Sequence, residues 1–133
     1  MKSESRPAPM KDSESKLDHA ALIGAVLADE CKEANWDGYG AEPLDRNALE
    51  LALKIVGSLP DDVPMPCFAI EPDGCVSLDW MPTRSRTFTL SAGKTDRLPY
   101  AWIDGTDCGR AVARFVNGKL PPRILDEVRR ICP

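Results

Sequence analysis

The chain has 133 residues, and 43% of them are hydrophobic, which is enough to bury the core of one domain. Its formal net charge of -4 disfavours nucleic acid as a general partner, because an acidic surface is not drawn to a phosphate backbone. No segment approaches the roughly 18 apolar residues of a membrane span, and the N-terminus lacks the apolar core of a secretory signal. We therefore expect a cytoplasmic protein that has no membrane partner.

The five cysteines are odd in number, include no C-x-x-C pair and stand among apolar neighbours, as reduced cysteines commonly do. His19 is the only histidine, and no cysteine or carboxylate stands at metal-ligand spacing from it. We predict free thiols, an exposed histidine on a helix, and neither a metal site nor a cofactor. The cysteines are Cys31, Cys67, Cys75, Cys108 and Cys132.

Residues 1–15 hold almost no large apolar side chain, so burial cannot offset the entropy lost on ordering them. We predict a disordered tail there and a single domain over residues 16–133. Ser15 followed by Asp18 resembles a capping box, and apolar residues then recur at helical spacing over residues 16–33. A second helix is predicted from the N-cap Asp45 to just before Pro60.

After a proline-rich run the hydrophobic period changes from helical to alternating, which predicts strands. The segments 67–71 and 75–80 flank Pro72-Asp73-Gly74, a strong hairpin signal. Two further strands are predicted over 86–91 and 98–103. Residues 109–116 fit either a strand or a helix, and we favour a strand.

A short helix after Pro121 and Pro122 closes the chain, since an apolar stripe follows the two prolines. The predicted fold class is α+β: two N-terminal helices, a four- or five-stranded antiparallel meander and one C-terminal helix. A sheet with one apolar face needs the helices to cover that face.

The most distinctive local sequence is the loop over residues 35–41, Asn-Trp-Asp-Gly-Tyr-Gly-Ala. In one interpretation Trp36 and Tyr39 pack inward as anchors and Asp37 caps backbone N–H groups, which is the commoner use of such residues. In the other, the two aromatic side chains and the Asp37 carboxylate contact a ligand or a partner. Sequence alone leaves both open.

Other clusters suggest weaker alternatives. Six basic residues of the strand region could line up beside Tyr100 and Trp102 as an RNA-binding sheet, although solvated basic residues on a half-exposed sheet are commoner. A small enzyme could use Asp37 with a nearby thiol or carboxylate, but no motif with a known catalytic mechanism is present and no catalytic residue is assigned. The six residues are Arg84, Arg86, Lys94, Arg97, Arg110 and Arg114.

The loop at 35–41, the helix ending at Leu59-Pro60, and the turn at 72–74 leading to Leu78-Asp79-Trp80 resemble a family of small bacterial and phage-borne proteins that has no assigned activity. The similarity covers roughly residues 30 to 130. The resemblance implies a mobile-element or accessory setting in bacteria or phages, where small acidic proteins often act by binding another protein, for instance as an inhibitor of a host defence system or as an antitoxin-like partner. It transfers no catalytic residue.

These observations favour a non-enzymatic protein-binding module that uses an open sheet edge or the loop at 35–41 as its contact surface. The expected partner is another protein, a second copy of this chain included. The predicted contact residues are Trp36, Asp37, Tyr39, Asp79 and Trp80.

Overall fold

The computed structural model of the protein describes the backbone of residues 13–133 and the side chains from Lys16 onward. Helix α1 (Ser13–Glu30) begins three residues before the predicted domain start, so Ser15 lies inside the helix instead of capping it. The rest of the predicted tail, residues 1–12, lies outside the described residues. The helix ends before Cys31, three residues earlier than expected.

Helix α2 (Arg46–Gly57) has the predicted N-cap, since the Asp45 carboxylate accepts a hydrogen bond from the Ala48 N–H. It packs against α1. A β-carbon on Gly24 of α1 would lie 3.2 Å from Leu49 Cδ1, so a glycine at this position permits the close approach of the two helices.

The sheet has five strands in the order β1-β2-β3-β4-β5, and every neighbouring pair is antiparallel. The structure thus confirms the predicted α+β class and the antiparallel meander. The short β1 and the eight-residue β5 form its two edges. The strands are β1 (Cys67–Ile70), β2 (Val76–Thr83), β3 (Arg86–Ala92), β4 (Arg97–Asp104) and β5 (Asp107–Arg114).

The ambiguous segment at 109–116 belongs mostly to β5, as favoured from its alternation. Ala113 faces the core and is 1% exposed, whereas Val112 on the other face is 44% exposed. Gly109 lies under the Trp102 ring, because a β-carbon there would come within 2.5 Å of Trp102 Cζ2. Helix α3 (Pro122–Ile131) closes the fold after Pro121.

The core lies between one face of the sheet and the helices α2 and α3, which contact β2 and β3. Phe88, Leu78, Leu90 and Ile55 are fully buried there. The alternate residues of the strands form the opposite face, which we call the open face. No helix within residues 13–133 is long and apolar enough to cross a membrane.

Candidate binding surfaces

The loop at 35–41 is closed by hydrogen bonds within itself. The Asn35 N–H donates to the Ala41 carbonyl at 2.6 Å, and Asn35 Oδ1 accepts from the Gly40 N–H at 2.6 Å. Asp37 Oδ1 accepts from the N–H groups of Tyr39 and Ala41 at 2.8 and 3.1 Å. Asp37 therefore caps the loop, as the structural interpretation expects, and the loop presents one defined backbone conformation.

The two aromatic residues of this loop have different roles. Trp36 is half-buried, and its indole N–H donates to the Glu42 carbonyl at 2.6 Å. Tyr39 is 92% exposed. Trp36 thus anchors the loop, and Tyr39 is the side chain that the loop presents to solvent.

Directly after the loop, the chain joins the β1–β2 turn. The Glu42 N–H donates to the Pro72 carbonyl at 2.7 Å, and the Asp45 N–H donates to the Gly74 carbonyl at 2.9 Å. Gly74 has φ +89°, and a β-carbon on it would lie 2.6 Å from the Pro43 carbonyl oxygen. The two most distinctive sequence segments, 35–41 and 72–74, therefore belong to one structural unit.

The remaining two predicted contact residues, Asp79 and Trp80, lie on opposite faces of the sheet. Trp80 is 2% exposed, and its indole N–H donates to the Pro64 carbonyl at 2.7 Å, so it belongs to the core and cannot form part of an exposed contact surface. Asp79 points to the open face, where its carboxylate accepts a hydrogen bond from Ser77 Oγ at 2.6 Å. Alternation along β2 separates these neighbours.

The β1–β2 turn also gathers Glu71, Asp73 and Cys75, whose possible ligand atoms lie within 4.8 Å of one another. Burial and the Asp73 carboxylate raise the pKa of the Cys75 thiol to about 11. Because the thiolate is both the nucleophile and the metal-binding form of cysteine, this environment opposes both roles. Asp73 has a structural role in the turn, since its Oδ1 accepts from the Cys75 N–H at 3.0 Å.

Glu71 gives a testable pH dependence. Burial, together with the nearby Asp73 and Asp79 charges, raises the pKa of Glu71 above its ordinary value, although a hydrogen bond from Ser91 opposes the shift. The folded state therefore holds this proton more tightly than the unfolded chain, and stability falls as pH rises above the ordinary glutamate pKa.

We expect Glu71→Gln, which can still accept the Ser91 hydrogen bond, to be more stable than the native chain at pH 7. The difference should disappear near about pH 3, where both side chains are neutral. Urea unfolding at the two pH values measures it. Glu50→Gln, at an exposed position of α2, is the matched control. A lower stability of Glu71→Gln at pH 7 would contradict the argument.

Of the six basic residues, only Arg86 shares a face with Tyr100 and Trp102, and its side chain pairs with Asp104. These two rings stack on the core side of the sheet, with centroids 5.9 Å apart, and Tyr100 also stacks on Phe88. Arg97 lies on the open face by alternation along β4, and the β4–β5 register pairs it with Arg114 and pairs Ala101 with Arg110. The surface that an RNA-binding sheet would need is therefore divided between two faces.

All five cysteines are free, and Cys67 and Cys108 are exposed. His19 is exposed on α1, as predicted. Two features were missed by the sequence analysis: the carboxylates close to Cys75, and a groove on the open face that includes Arg110. The alternation of β4 and β5 could have indicated the groove, since it places small or apolar residues on that face beside the arginine.

No protein-family model matches the chain, and neither a curated protein nor a solved structure shows significant similarity to it.

Proposed function

We propose that the protein is a non-enzymatic protein-binding module and that Tyr39 is the centre of its contact surface. The observation that carries the proposal is the 92% exposure of this tyrosine on a loop that its own hydrogen bonds hold closed. A large aromatic ring left in water at the tip of an ordered loop contributes little to the fold.

Tyrosine is well suited to this role. It is enriched at the energetic centres of protein interfaces, and its ring brings a large contact area with few rotatable bonds. The ordered backbone of the loop reduces the entropy that binding would otherwise lose. The junction of the loop with the β1–β2 turn fixes its base to the sheet, through the bonds from Glu42 and Asp45. A partner would therefore meet a preformed surface.

The alternatives find less support. Both hydrogen bonds at Asp37 Oδ1 stabilise the loop, and the raised pKa of Cys75 keeps that thiol protonated. Both observations count against the hypothesis of an enzyme that uses these groups. Tyr100 and Trp102 lie on the opposite face of the sheet from Arg97 and Arg110, which counts against the hypothesis of an RNA-binding sheet. In the accessory setting that the resemblance implies, we propose a host defence protein or a toxin as the partner.

The experiment is affinity purification from the native host, identification of the retained partner by mass spectrometry, and a binding measurement with both proteins purified. We expect Tyr39→Ala to weaken the affinity at least roughly 30-fold, the effect of a hot-spot residue worth about 2 kcal/mol. Its free energy of unfolding should change by less than about 0.5 kcal/mol, because the side chain is exposed.

Leu22→Ala is the matched control, since Leu22 is 71% exposed on α1 and its truncation also removes exposed apolar surface. We expect this variant to bind as the native chain does. The proposal fails if no specific partner is retained, or if the Tyr39→Ala and Leu22→Ala variants bind that partner equally well.

A further inference from the structure

The open face of the sheet exposes several large apolar side chains to solvent. Met81, Ile103 and Val112 are 57%, 42% and 44% exposed on it. A groove of about 400 Å³ runs between β3 and β5, lined from this face by Thr89, Ser91, Pro99, Ala101, Arg110 and Val112. Exposed apolar surface bordered by polar groups is typical of interaction sites.

One row of side chains crosses this face at right angles to the strands. The register pairs Asp79 of β2 with Thr89 of β3, Thr89 with Ala101 of β4, and Ala101 with Arg110 of β5. The row thus has a carboxylate near one end, a guanidinium at the other, and small side chains between them. Three strand spacings, roughly 14 Å, separate the two charges, so they cannot pair within the chain.

Asp79 and Arg110 form no ion pair with the residues whose side chains the structure describes, although many other carboxylates and guanidinium groups of the protein do. Asp79 Oδ1 accepts a hydrogen bond from Ser77 Oγ, and no side chain of residues 16–133 donates to its other oxygen. The open face therefore has a negative side and a positive side with an apolar groove beside the positive one.

We propose that the open face binds a second copy of the same chain, face to face, about a two-fold axis that runs parallel to the strands between β3 and β4. Such an axis places β2 of one copy over β5 of the other and β3 over β4. Asp79 of each copy then faces Arg110 of its partner, and Thr89 faces Ala101. Sheets that pack in this way lie roughly 10 Å apart, within reach of an arginine side chain.

A two-fold axis at right angles to the strands would instead place like charges over one another. Charge complementarity therefore selects both the partner and the orientation. This proposal involves none of the residues of the loop at 35–41, so it can fail or succeed independently of the proposed function.

The test uses two charge reversals, Asp79→Lys and Arg110→Glu, with the molar mass measured by light scattering or analytical ultracentrifugation. The native chain should have twice its 14.6 kDa monomer mass. Each variant alone faces two like-charge pairs, and we expect roughly a hundredfold weaker dimerisation. A mixture of the two variants restores both opposite-charge pairs, so an equimolar mixture should form a heterodimer.

Arg46→Glu, at an exposed position at the start of α2, controls for the change in net charge and should leave the dimer intact. Circular dichroism checks that each variant folds. If Asp79→Lys does not fold, Ala101→Arg replaces it, because two arginines close to the axis would repel one another. A monomeric native chain overturns the proposal and leaves the face to a different protein. Reversal variants that still dimerise alone, or a mixture that stays monomeric, overturn it as well.

Discussion

Gly74→Ala is expected to lower the free energy of unfolding by roughly 3 to 4 kcal/mol. About 1–2 kcal/mol comes from forcing a side chain into a left-handed conformation, since φ is +89°. The added β-carbon would also lie 2.6 Å from the Pro43 carbonyl oxygen. Because the obstacle is backbone, no rotamer change relieves the contact. The segment around Pro43 must move away from the turn. This movement is expected to break the two backbone hydrogen bonds that Glu42 and Asp45 donate to the β1–β2 turn, each worth about 1 kcal/mol.

The matched control is Gly105→Ala in the turn between β4 and β5. Gly105 also has a positive φ, +66°, but nothing lies within 4 Å of the position of its added β-carbon. That variant should lose only the conformational part, about 1–2 kcal/mol. Urea denaturation of both variants measures the difference. Equal losses would show that the contact with Pro43 has no energetic weight.

The second large effect concerns Lys16 in the first turn of α1. Its side chain is 3% exposed, and its ammonium group donates to the Pro60 and Val63 carbonyls at 2.6 Å each. Lys16→Met keeps most of the packing of the stem but removes the donor of both carbonyls, of which Pro60 keeps the hydrogen bond from the Val63 N–H at 3.1 Å. We expect a loss of roughly 1–3 kcal/mol of stability, because the buried Val63 carbonyl loses its lysine donor and carries the desolvation cost.

This loss should depend on pH. Burial lowers the pKa of Lys16 from its ordinary 10.5, although the nearby Asp61 and Asp62 charges oppose the shift. The unfolded chain thus binds this proton more tightly, so the stabilisation by Lys16 increases as pH rises toward 10.5. The measured penalty of Lys16→Met should increase in the same range. Lys32→Met, whose side chain is 63% exposed beside Asp29, should change stability by less than about 0.5 kcal/mol at every pH. A Lys16→Met variant as stable as Lys32→Met would contradict the role of the buried contact.

Local patterns were sufficient to predict most of the fold. Asp45 caps α2, the 72–74 turn joins two antiparallel strands, and alternation assigned the segment that became β5. Each of these signals depends on residues close together in the chain, so sequence spacing reports it directly.

The features that sequence did not reveal depend on distant residues. A lysine near the start of a helix suggests a solvated side chain, and its carbonyl partners lie 44 and 47 residues further along the chain. The contact of Gly74 with Pro43 likewise joins separate elements. In contrast, the division between Tyr100 and Arg97 was already present in the period of two along β4. Only the placement of Arg110 needed the β4–β5 register.

At the loop of residues 35–41, sequence predicted a structured turn with two aromatic residues but not their orientations. Trp36 turns inward because its indole N–H donates to the Glu42 carbonyl. Glu42 is itself held in place by its backbone hydrogen bond to the β1–β2 turn. Asp79 and Trp80 differ from this case, since the period of two along β2 already places them on opposite faces of the sheet.

The order of the strands has a consequence for how the molecule assembles. Every strand pairs with its neighbour along the chain, so each pairing closes only a short loop and loses little chain entropy. The ties between the N-terminal helices and the sheet span about thirty residues or more, as between Glu42 and Pro72, and they are costlier to close. Folding is then expected to begin with the hairpins, and the loop that presents Tyr39 becomes fixed to the sheet only after the β1–β2 turn has formed.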